Sequence, residues 1–306
     1  MKLEIVKRDD GKVVLKRIEG DFTDFLPEVL KRVNIIGEKC CQGTIEKLII
    51  PDNIEEIEDS AFEDCGIEEL IFEGDEINIG EGAFSENGIS KLQLPKKAVL
   101  HAHAFYDNEL ETLFIPKDVK LCGEAIFART SVTEVEIEDG LTELNNDIFE
   151  FSNLEKIKLP NTLTEIPYGA FSNVELKSLE IPEGVEIIGD YAFFDCDELT
   201  NVKLPTTLRK IGEGAFSQCV ELKSINIPMG CEVAEDAFEG CSIQVNRINC
   251  NAERIIEKMI EFFTQREQIS KEESNQMVEW LKSQQEVKQN TEDQSNETSQ
   301  EEGNTI

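Results

Sequence analysis

The chain has 306 residues, 30 Lys and Arg against 64 Asp and Glu, a formal net charge of −34, and 40% hydrophobic residues. That apolar share supports a packed core. The charge opposes a nucleic-acid backbone or an anionic lipid surface, each of which attracts a basic face. No apolar run reaches the ~18 residues of a membrane span, and no apolar signal region follows the opening MKLEIVKRDDGK.

In chain order, residues 1–18 alternate in the manner of a hairpin, with Asp10-Gly11 at the turn. Residues 1–41 hold nine basic and eight acidic side chains, so the negative excess lies beyond them. From Ile45 the chain repeats itself. IEKLIIPDNIEEIEDSAFEDC from Ile45, LEKIKLPNTLTEIPYGAF from Leu154 and LTNVKLPTTLRKIGEGAFSQC from Leu199 are one pattern. A phenylalanine marks each copy, at Phe62, Phe84, Phe105, Phe127, Phe149, Phe171, Phe193, Phe216 and Phe238, at intervals of 21 to 23 residues. A degenerate copy precedes them, with Cys40-Cys41 where Ala-Phe would stand.

Each copy opens with apolar residues spaced as in Ile45, Leu48 and Ile50, the last two alternating as in a strand with one buried face. Proline follows in seven copies and should end that strand, because it cannot donate to a ladder. A second apolar pair, such as Val185 and Ile188, is too short for a helix and fits a second strand. Five residues before each phenylalanine stands an apolar residue, from Ile36 and Ile57 through Cys122 to Val233. Such units cannot bury their apolar faces alone, but stacked neighbours can bury one another's. The expected fold is a mostly β repeat solenoid of about ten coils with parallel strands.

The unit, apolar-x-x-apolar-x-apolar-Pro followed by Ile-Gly-x-x-Ala-Phe-x-x-Cys, resembles the BspA-like leucine-rich repeat family over residues 25 to 248. Glu73 and Glu138 depart from the pattern by replacing the proline in two copies. The resemblance implies a right-handed curved solenoid with the first strands on its concave face. It also implies binding of proteins, as an interaction module or a surface adhesin.

After Cys250 the period changes. Ile255, Ile256, Met259, Ile260 and Phe263 fall on one helical stripe, and Ser270 with Glu273 has capping-box spacing before Met277, Trp280 and Leu281. Two helices covering the last coil are expected, or else a helix hairpin for a partner. The chain therefore divides into an N-terminal cap over 1–24, a leucine-rich repeat solenoid over 25–248, a helical cap over 249–283 and a disordered acidic tail over 284–306.

Candidate chemistry is sparse. Three residues after each phenylalanine stand Cys65, Asn87, Asn108, Thr130, Ser152, Val174, Cys196, Cys219 and Cys241. Cys196, Cys219 and Cys241 occupy consecutive coils, within the ~4.4–6.8 Å reach of a disulfide. Because the same slot accepts Asn, Ser and Thr, buried reduced thiols are the expectation. His101 and His103 could share a metal only with Glu81 or Glu124 from a flanking coil, and a turn irregularity is the plainer account. No CxxC, G-x-S-x-G, Walker A or G-x-G-x-x-G is present, so neither an enzyme nor a cofactor is expected.

The residue in the middle of each first strand should point outward: Ile49, Ile71, Gln93, Phe114, Glu136, Lys158, Glu180, Lys203 and Asn226. The later ones alternate in charge and suit cross-strand pairs. Ile49, Ile71 and Phe114 form an apolar row, either a protein-binding patch or a surface covered by the N-terminal segment. The expected function is non-catalytic binding of a protein partner on the row from Ile49 to Lys203. Net charge would favour a basic partner. No nucleic acid and no membrane insertion are expected, and the cytoplasm is the expected compartment, with the cell surface as the alternative.

Overall fold

The computed structural model describes residues 2–19 and 26–248. The helical cap expected over 249–283 and the acidic tail over 284–306 lie outside the described residues. Within them the chain is a β-solenoid of about ten turns, and its helix is a single turn, Leu26–Leu30.

Two stacks run along the solenoid, and most coils give one strand to each. The first-strand stack contains Lys47–Ile50, Glu69–Phe72, Thr112–Ile115, Glu134–Ile137, Lys156–Lys158, Ser178–Glu180, Asn201–Lys203, Ser224–Pro228 and Gln244–Ile248. The strand Ser224–Pro228 ends at its proline, as expected. The second-strand stack holds shorter pieces such as Ile35–Ile36, Glu56–Ile57 and Glu76–Ile79. In register Ile36 lies beside Ile57, Ile57 beside Ile79, and Ile79 beside Leu100. Both stacks break. The coil around Lys91 has a single bridge to each neighbour in place of a first strand. The coil of Leu141 to Leu144 forms no second strand, so the second stack divides there.

The phenylalanines build the core. Phe62 through Phe216 are fully buried, and consecutive rings from Phe62 to Phe238 stack at centroid distances of 5.1 to 6.0 Å with planes within 15°. Each buried ring contributes about 1.5–3 kcal/mol from its area, and each favourable ring pair about 0.5–1.5 kcal/mol more. The third side of the coil is also bonded. The Phe62 N–H donates to the Ala83 carbonyl, and that of Phe84 to Ala104, one coil on each time.

The slot three residues after the ring completes the ladder. Asn87 Oδ1 accepts from the N–H groups of Cys65 (3.1 Å) and Ile67 (2.9 Å), while Nδ2 donates to the Phe62 carbonyl at 2.8 Å. Asn108 donates in the same way to Phe84. Where cysteine stands, its thiol makes the bond to the preceding coil: Cys196 to the Phe171 carbonyl, Cys219 to Phe193, Cys241 to Phe216. These cysteines are unbridged thiols, Cys196 and Cys219 fully buried and Cys241 half-buried.

One expectation needs correction. Cys122 does not occupy the apolar slot; it is exposed. Leu121 pairs with Leu100 in its place. This coil has one extra residue before its ring. A Cβ at Gly123 would come within 2.2 Å of the Ala102 nitrogen, so the backbones touch there and Cys122 is turned outward.

At the N-terminus, strands Lys2–Lys7 and Val13–Glu19 form an antiparallel hairpin, with Gly11 at φ 89° in the turn. The second of these strands pairs in parallel with Ile35–Ile36, extending the second-strand stack. Val14, Leu15 and Ile18 are buried, and Arg8 clasps Glu58 in an ion pair.

Candidate binding face and family

The first-strand stack presents the middle residue of each strand to solvent. Register places Ile49 beside Ile71, Phe114 beside Glu136, Glu136 beside Lys158, and Glu180 beside Lys203. The flanking residues Leu48, Ile50, Leu113 and Ile115 are buried, which forces the middle residue outward. Ile71 is 37% exposed and Phe114 47%, Gln93 between them is exposed, and Ile49 is half-buried. The N-terminal hairpin pairs with the other stack, so it does not cover this row.

The break at Lys91 shapes the face. Lys91 bridges Glu69 on one side and Thr112 on the other, and beside it opens a groove of about 720 Å³. Glu46, Glu68, Ile71, Ser90 and Gln93 line it. The repeat pattern did not reveal this groove, because Leu92 and Leu94 keep their core positions while the strand between them is lost. The charged half of the row is paired within itself. Lys158 bonds Glu136, and Lys203 bonds Glu180. Such exposed pairs contribute about 0–1 kcal/mol each.

The two histidines stand apart from this face. His101 Nε2 lies 3.1 Å from Asn78 Oδ1, and the His103 ring meets Tyr106 edge-on at 5.4 Å. His103 has φ 57°, like the equivalent turn residues of other coils, Ser60 at 50° and Asp147 at 55°, so it sits in the regular turn of the repeat and not in the irregularity expected of it. Among the described residues no group of three His, Cys, Asp or Glu side chains could hold a metal. Nor is any described helix long and apolar enough to cross a membrane.

The stacked rings, the Asn/Cys ladder and the two parallel stacks coincide with a known repeat. The family model described as BspA type leucine-rich repeat region (6 copies) matches residues 34–155 and 142–266. The chain belongs to this family. Several solved structures are similar to it. A leucine-rich cell surface protein from Faecalibacterium prausnitzii A2-165 is 18% identical, over 82% of this chain and 94% of that one, with a TM-score of 0.42. The pneumococcal vaccine antigen PcpA is 24% identical, over 70% and 68%, with a TM-score of 0.47. A leucine-rich repeat protein from Eubacterium ventriosum ATCC 27560 is 17% identical, over 79% and 93%, with a TM-score of 0.34. No curated protein matches.

Proposed function

We propose that this leucine-rich repeat chain is a non-catalytic binding module that takes a protein partner on its first-strand face. The observation that carries the reading is the exposure of Ile71, which lines the groove at Lys91, and of Phe114 in the coil that follows Lys91. Water-facing apolar side chains beside a concavity supply the central anchors of an interface. Ile49 and Gln93 extend that centre. Glu136, Lys158, Glu180 and Lys203 form the rim, where their ready-made pairs set register and contribute little affinity.

The test is co-precipitation with two baits, the unaltered chain and one carrying Ile71→Arg and Phe114→Arg. Both positions are exposed, so the variant should keep the melting profile of the parent in circular dichroism. A partner captured by the first bait and lost by the second supports the reading. Equal capture by both overturns it.

A cell-surface adhesin is the second reading; the Faecalibacterium neighbour is described as a leucine-rich cell surface protein. It uses the same face in a different compartment. Protease treatment of intact cells separates the two, because a surface protein is cleaved and an interior one survives.

A further inference from the structure

The turn side of the coils, which carries the ring-bearing segment, is a surface separate from the first-strand face. Aromatic side chains lie along it in front of the buried stack. The Arg129 guanidinium lies 5.0 Å from the Phe151 ring centre and 6.0 Å from that of Tyr106, so three successive coils join in a cation–π sandwich. Further along, Tyr168 meets Tyr191 at 5.7 Å and 65°, and Tyr191 meets Phe194 at 5.9 Å and 71°. Tyr168 is 48% exposed and Tyr191 37%. Among the described residues no cation stands over either ring.

Carboxylates surround this second cluster. Asp147, Glu150 and Asp190 all act on the Tyr168 hydroxyl, which burial first and then their charges hold above its ordinary pKa. Burial, and then repulsion from Glu124, pushes the Asp147 carboxyl up; burial, and then Asp147, does the same to Glu150. His103 and Arg129 oppose these shifts without reversing them. The ion pairs of the described residues lie elsewhere, on Glu58, Glu69, Glu136, Glu180 and Glu186 among others.

We propose that this turn side, centred on Tyr168 and Tyr191, docks an arginine-rich segment of a partner protein. The ring faces receive guanidinium groups, and Asp147, Glu150 and Asp190 supply the counter-charge. Arg129 between Phe151 and Tyr106 shows the same contact made within the chain. The Tyr168 cluster repeats the rings, and among the described residues no cation stands over them. An apolar partner would bury these carboxylates unpaired, at a cost. A nucleic acid would be repelled. A neutral sugar would use the rings and leave the charges unopposed. The proposal does not rest on the first-strand reading, since the two surfaces share no residue.

The experiment measures fluorescence anisotropy of a labelled hexa-arginine peptide with the full chain at about 0.15 M salt, where long-range attraction is screened beyond about 8 Å. The neutral isostere, hexa-citrulline, is the control. Hexa-arginine should bind, and hexa-citrulline at least about tenfold more weakly. Tyr168→Ala with Tyr191→Asn leaves the charge unchanged and should weaken hexa-arginine binding about tenfold. Asn is chosen because residue 191 has φ 55°, which Asn tolerates. Tyr168→Phe keeps the ring and should bind like the parent.

Equal binding by the double variant and the parent overturns the proposal, because the peptide would then be reading net charge alone. Equal binding of hexa-citrulline, or displacement of hexa-arginine by cellohexaose, overturns the choice of ligand. If the double variant loses its melting transition, Glu150→Gln decides. A several-fold loss of affinity supports the proposal, and an unchanged affinity overturns it. Ile71→Ser with Phe114→Ser should leave peptide binding unchanged, which keeps this outcome distinct from that of the first-strand face.

Discussion

At the residue scale, the slot after each ring shows how one backbone demand is met by different side chains. The coil must satisfy a carbonyl that faces the interior, that of the preceding phenylalanine. Asn87 meets it and two N–H groups besides; Cys196 meets it with a single thiol. A buried polar group left without a partner costs about 1–3 kcal/mol, which is why the slot accepts several donors. Val174 stands there without a donor, and the Phe149 carbonyl that it would meet already accepts from Ser152 Oγ at 2.7 Å.

Cys40 occupies the position held by Ala61, Ala83 and Ala104 in later coils, and it is fully buried. Burial, and to a lesser degree the neighbouring Cys41, pushes its thiol up from 9.0 to about 12. The thiol of the unfolded chain ionises first as the pH rises, so the contribution of Cys40 to stability is intact below pH 9.0 and falls away toward about 12. Cys40→Ala keeps the shape used by the other coils and removes the titration. Its urea midpoint should therefore decline less than that of the parent between pH 9 and pH 11. A parallel decline in both would refute the assignment. The outward turn of Cys122 gives it the opposite behaviour, rapid labelling by iodoacetamide in the native protein.

At the element scale, each coil contacts its neighbours and little else, so stability is a sum of coil and interface contributions. The ring stack is the interface repeated from Phe62 to Phe238. Phe127 lies in its middle, fully buried between Phe105 and Phe149. Phe127→Ala should cost about 3–5 kcal/mol and uncouple the two halves, giving two urea transitions in place of one. Phe238 is only partly buried and stacks on Phe216. Phe238→Ala should cost less and leave unfolding cooperative. Urea titration followed by circular dichroism distinguishes the two, and equal costs would contradict the stacking account. The division of the second-strand stack near Leu144, close to Phe127, places the weaker coupling in the same part of the array.

At the scale of the whole molecule, the charge of −34 acts on the chain as a self-repulsion that salt screens. The screening length falls from about 30 Å at 0.01 M salt to about 8 Å at 0.15 M. The melting temperature should rise by several degrees over that interval in calorimetry. A melting temperature that falls over the same interval would show that attractive pairs such as Lys47 with Glu69 outweigh the repulsion. The same charge makes a cationic partner the natural one for either surface, and it makes association weaken with salt.

The sequence by itself determined the repeat, its period, the inward direction of the rings and the outward direction of Ile71 and Phe114. A solenoid contact recurs at a constant offset in the chain, so adjacent coils write their packing into the pattern. The hairpin at Asp10-Gly11 was legible for the same reason, being local. Only the tertiary structure decided the groove at Lys91 and the displacement of Cys122 by Leu121. It also brought together Tyr168, Tyr191 and Phe194 on the turn side. These depend on where one coil departs from its neighbour by a residue or a bridge. A periodic pattern averages such departures away; the backbone must resolve each of them in space, where the coils touch.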